Sequence, residues 1–139
     1  MRILPGPSSI IISLICSSAP LPASEIASAQ TGDAVAIVQK QVDAFNEGDA
    51  DRFASFYADD VELFDLGPEK PSLSGRDALL ARYRPMLGKY HPKATILSRI
   101  VSGSFVIDNE KTEAGGRSSV GVAIYQVEGG KIRPVWFTP

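Results

Sequence analysis

The chain has 139 residues, 44% hydrophobic and 22% charged, with a formal charge of -2, which describes one modest globular domain rather than two. No basic run of the kind that neutralises a phosphate backbone is present, which argues against nucleic acid and anionic membrane as partners. A single cysteine, Cys16, and a single histidine, His91, offer no Cys cluster and no His pair, so no metal site is encoded and no cofactor is called for.

Residues 1–29 read as an export signal. Arg2 precedes an apolar block at residues 10–16 (IIISLIC), then Ser/Ala/Pro-rich sequence, then Ala27-Ser28-Ala29, a pattern that a signal peptidase accepts. A plain N-terminal extension is the alternative. The block covers about a third of the ~20 residues that a helix needs to cross a bilayer, so it is not a membrane span. Ile15 is too large to precede a lipidated cysteine. On this reading a mature domain of residues 30–139, without any thiol, is periplasmic or secreted.

From Thr31 onward, helices come first and strands later. Asp33 can cap a helix in which Val35, Val38, Val42 and Phe45 recur at spacings of three and four, with Gly48 as its stop. Asp49 can cap a second, shorter helix through Phe53, Phe56 and Tyr57, after which residues 61–66 alternate as a strand up to the Gly67-Pro68 turn. Ser74 and Asp77 have the form of a capping box for a third helix through Leu79, Leu80, Tyr83 and Leu87, which Pro85 is expected to kink or end. Residues 94–101, 104–112, 118–128 and 131–137 mix β-branched and aromatic residues between Gly-containing turns and read as strands. Pro134 places the last one at an edge or a bulge. Asp59-Asp60 reads as turn chemistry, and Arg99 and Arg117 as surface charges. Helices with an antiparallel sheet imply an α+β layer in which one sheet face is buried.

These elements carry a family resemblance. Asn46-Glu47-Gly48-Asp49, Phe53, Phe56-Tyr57-Ala58-Asp59-Asp60, Ser74-Gly75-Arg76-Asp77-Ala78-Leu79, and Gly130-Lys131-Ile132 with Val135-Trp136-Phe137 resemble the nuclear-transport-factor-2-like superfamily, nearest to its SnoaL-like and ketosteroid-isomerase-like branch. The resemblance spans nearly all of the chain after Thr31. It implies a conical α+β fold, with three N-terminal helices packed on a strongly curved, mainly antiparallel sheet that encloses an apolar pocket, and a homodimer as the usual assembly. It implies no single reaction, because such folds host isomerases, cyclases, dehydratases, hydrolases and binding proteins alike.

The residues that matter most follow from both readings. Val61, Leu63 and Asp65 share one strand face. If that face looks inward, Asp65 is a desolvated carboxylate fit for proton transfer; if outward, it begins the following turn. Counting without gaps, the resemblance sets Asp65 where steroid isomerases hold their proton-shuttling carboxylate, and Tyr57 and Tyr83 where pocket tyrosines can stand. Gln41 takes the place of the main oxyanion-binding tyrosine and Ala123 that of its protonated aspartate partner, and losing one such donor costs ~10²–10³ in rate. Gln41 can still donate from its amide.

Phe64 and Trp136, on strands, are core residues or pocket lining, and His91, after the third helix, is solvated or an acid–base group. Three functions stay open: a proton-transfer isomerase acting on an apolar cyclic carbonyl compound with Asp65 as base, a non-catalytic carrier of an apolar small molecule, and a dimeric interaction module.

Overall fold

The computed structural model describes residues 19–138. The apolar block at 10–16 and Cys16 lie outside the described residues. Helices α1 (Ala23–Glu47) and α2 (Ala50–Ser55) lead into strands β1 (Tyr57–Asp65) and β2 (Leu73–Ser74), then helix α3 (Arg76–Tyr90) and strands β3 (Lys93–Ser102), β4 (Phe105–Ala114), β5 (Arg117–Glu128) and β6 (Lys131–Phe137).

The six strands form one curved, open sheet in the order β2-β1-β6-β5-β4-β3, antiparallel except where β1 runs parallel to β6. The helices cover its inner face. Val38 of α1, Phe53 of α2 and Leu79 of α3 pack there against Val61, Val106, Ile132 and Val135, all essentially without exposure. Among the described residues no helix is long and apolar enough to cross a membrane.

Several boundaries differ from the sequence reading for identifiable reasons. Helix α1 starts at Ala23 rather than at Asp33: Ala23, Glu25, Ala27, Ala29 and Gln30 favour helix, no proline intervenes, and Gly32 does not interrupt it. Its end is as read: Gly48 takes φ 76°, and Asp49 caps α2 by accepting from the Arg52 amide at 3.0 Å. Ser74 does not cap α3. It pairs with Glu62 in β2, and Gly75, at φ 90°, makes the turn into the helix instead.

Pro85 leaves α3 unbroken, because Pro85 and Ala81, whose carbonyl loses its amide partner, both face solvent. Asp59 and Asp60 belong to β1, where the register shifts between Tyr57 and Glu62, and they reach outward to Arg76 (2.6 Å) and Arg133 (2.7 Å). Pro134 lies in β6, an interior strand, and its flanking ladders are indeed irregular.

Candidate functional site

The helices and the curved sheet do not meet everywhere. Between them lies a cavity of about 200 Å³. Gln41, Val42 and Phe45 reach it from α1, at helical spacing. Phe53 of α2, Tyr57 of β1 and Tyr83 of α3 form an aromatic wall, with the Phe53 ring 5.0 Å from that of Tyr57 and 4.8 Å from that of Tyr83. The sheet contributes Glu110 and Thr112 from β4, Tyr125 from β5 and Phe137 from β6.

Glu110 is the group that sequence reasoning missed. Val106, Asp108, Glu110 and Thr112 alternate onto the inner face of β4, and Glu110 stands opposite Gly121 of β5, where no side chain competes for the space. The two acids on this face are treated differently. Asp108 is fully buried and held by Arg99 through two bonds, Nε to Oδ1 at 2.6 Å and Nη2 to Oδ2 at 2.7 Å, while Arg99 also donates to Gln39. Arg99 is therefore the half-buried partner of a buried carboxylate, not a free surface charge.

Glu110 has no ion pair among the described residues. Desolvation, followed by the Asp108 carboxylate two residues away, pushes its carboxyl up to about 7, against a smaller downward pull from Arg99. Burial likewise raises Tyr57, Tyr83 and Tyr125 above the usual phenol range, so all three stay neutral donors at any working pH. An alternating strand with acids at i and i+2 beside Val106, read against a hairpin turning at Gly115-Gly116, was the available signal.

The residues singled out from sequence scatter. Gln41, Tyr57 and Tyr83 line the cavity. Asp65 does not: it ends β1 opposite Phe137, exposed at the rim, because the face that buries Val61 and Leu63 runs out of covering helix there. Phe64 and Trp136 stack on the opposite face of the sheet, ring centres 5.8 Å apart, and not in the cavity. Ala123 is buried opposite Asp108 in the core and does not line the cavity. His91 is the exposed left-handed C-cap of α3, in a shallow surface groove with Tyr90 and Arg117. Among the described residues no three His, Cys, Asp or Glu side chains converge on a point.

A helix-covered, curved open sheet with a polar-floored cavity is the architecture of the nuclear-transport-factor-2-like superfamily, and the sequence agrees: the SnoaL-like domain family matches residues 38–135. The chain belongs to the SnoaL-like family. Among curated proteins none matches it.

Solved structures with the same fold include a protein from Kribbella flavida carrying the provisional assignment of ketosteroid isomerase (20% identity, 78% of each chain covered, TM-score 0.69). An LEH-like epoxide hydrolase of Mycobacterium tuberculosis is similar at 18% identity, over 78% of this chain and 83% of that one, with a TM-score of 0.68. So is Rv0760c of the same organism, at 17% identity, over 76% and 92%, with a TM-score of 0.67. At these identities the likeness establishes the fold and leaves the reaction to the site itself.

Proposed function

We propose that this chain is an enzyme of the isomerase type that moves a proton within a compact cyclic carbonyl compound, with Glu110 as the base. The observation that carries this reading is Glu110 itself, a carboxyl facing a largely apolar cavity without a counter-ion among the described residues. With a pKa of about 7 it is half ionised at neutral pH, and its conjugate acid can give the proton back. Asp65, the carboxylate favoured by the resemblance, is exposed and lies outside the cavity lining, so the role passes to Glu110.

The steps balance on this chain's own groups. Ionised Glu110 takes a proton from the carbon beside the carbonyl. The C–H electron pair becomes a C=C bond and the carbonyl π pair moves to oxygen. A phenol of Tyr57, Tyr83 or Tyr125 donates to that enolate, standing in for the oxyanion pair absent at Gln41 and Ala123. Where the ring carries a β,γ C=C, the enolate is conjugated with it, and protonated Glu110 returns the proton to the γ carbon as that C=C moves to the α,β position and the carbonyl reforms.

Size narrows the substrate. An apolar cavity of ~150 Å³ accepts benzene, whereas drug-sized ligands occupy ~300–1,000 Å³. About 200 Å³ suits one substituted ring.

The test is solvent-deuterium exchange at the carbon beside the carbonyl of cyclohexanone, followed by NMR. Wild type is expected to accelerate it, Glu110→Gln to lose ~10²-fold or more, and Asp65→Asn to stay within about threefold. Loss in Asp65→Asn with Glu110→Gln intact would return the role to Asp65. Absence of any catalysed exchange would leave a carrier.

Two further parts of the reading concern the whole chain. Phe64, Trp136, Ile124, Ile107 and Ile100 lie in register across five strands on the outer face, which supports a homodimer built sheet to sheet. Ala27-Ser28-Ala29 sits in exposed turns of α1 ahead of Ala34, the first core residue, a placement compatible with removal of residues 1–29 on export. N-terminal sequencing of the protein recovered from cells checks that boundary.

A further inference from the structure

Gln41 is the polar group that the proposed chemistry leaves unused. It is 4% exposed, lines the cavity from α1 together with Val42 and Phe45, and its Oε1 is a buried acceptor with no donor among the described residues. A desolvated amide oxygen is unfavourable until something donates to it. The phenols of Tyr57, Tyr83 and Tyr125 offer donors elsewhere in the cavity, so its polar groups ask for a ligand with an acceptor toward the phenols and a donor toward α1.

We infer that Gln41 selects the ligand: the cavity takes a one-ring compound whose hydroxyl donates to Gln41 Oε1, making the substrate class a cyclic hydroxy-ketone. This rests on the cavity being the ligand site proposed above. Sites built to hydrogen-bond a hydroxyl reject the analogue lacking it far more strongly than apolar pockets reject an extra methyl group. Water would otherwise favour the methyl analogue, which is the more apolar of two similar shapes. A preference for the hydroxyl compound is therefore diagnostic of the buried acceptor.

The experiment uses two matched pairs in calorimetry on the intact protein. One pair is 4-hydroxycyclohexanone and 4-methylcyclohexanone; the other, phenol and toluene, carries no ketone. Wild type is expected to bind the hydroxyl member of each pair about tenfold more tightly or better. Gln41→Met, close in volume, is expected to reverse the order within each pair, and Gln41→Leu provides the same readout should the first variant fold poorly.

A preference for phenol over toluene that reverses in Gln41→Met, with neither ketone binding, supports Gln41 as the selector of a ring hydroxyl and overturns both the hydroxy-ketone class and the carbonyl substrate. Equal binding within both pairs means that an ordered water serves Oε1 and overturns the inference. So does a hydroxyl preference that survives the substitution, and so does no binding of either pair.

Discussion

Asp108 and Glu110 stand two residues apart on one face of β4, yet among the described residues only Asp108 has an ion-pair partner. That difference makes separate forecasts. Arg99→Met leaves a buried carboxylate uncompensated and is expected to cost about 3 kcal/mol in urea unfolding, whereas Arg99→Met with Asp108→Leu should cost less than either single change. Additive losses would mean that the pair is not a unit.

Glu110 works in the other direction. Its folded value of about 7 lies above the unfolded value of ~4.3, so between those limits the folded state binds the extra proton. Its contribution to stability is full below about pH 4 and is lost as pH rises through 7. Glu110→Gln, neutral throughout, should therefore match wild type near pH 4 and exceed it above pH 7 by about 2–3 kcal/mol, read as a higher thermal midpoint. The three tyrosines give no such window, being neutral in both regimes.

At the scale of elements, the ends of α1 carry unequal weight. Residues 19–30 are exposed and contribute nothing to the core, which begins at Ala34. Starting the chain at Thr31 is expected to leave the thermal midpoint within about 2 °C of the full chain. Gly48 is different: its φ of 76° is left-handed and nothing lies within 4 Å of an added Cβ, so Gly48→Ala isolates backbone strain, with an expected loss of about 1 kcal/mol.

These elements also show where sequence is informative. Gly48 and Asp49 encode their turn through local chemistry, and the four long strands are spelled out by β-branched runs between glycines. The short β2 and the parallel pairing of β1 with β6 depend on contacts distant in sequence, which local patterns do not encode. The exposure of Asp65 was hidden from sequence for the same reason, because strand alternation gives a side chain's face but not where the covering helices stop.

At the scale of the molecule, the sheet has two apolar faces and the helices cover one. The outer row runs from Phe64 through Trp136, Ile124 and Ile107 to Ile100, the last 64% exposed, with Val120 nearby at 59%. If copies pair through it, light scattering at micromolar concentration should give twice the 14.9 kDa chain mass, and Ile100→Lys should shift the protein toward monomer. A monomer in wild type removes the dimer. The inner face holds the cavity, and the proposed chemistry rests on a carboxyl that has no ion pair among the described residues.

The protonation of Glu110 is therefore the quantity to measure. With the side-chain carboxyls labelled with ¹³C and assigned by comparison with Glu110→Gln, one glutamate resonance should titrate near pH 7 in wild type and be missing in the variant. A Glu110 resonance titrating at the ordinary carboxylate value of ~4.3 would place that group in water and contradict the account.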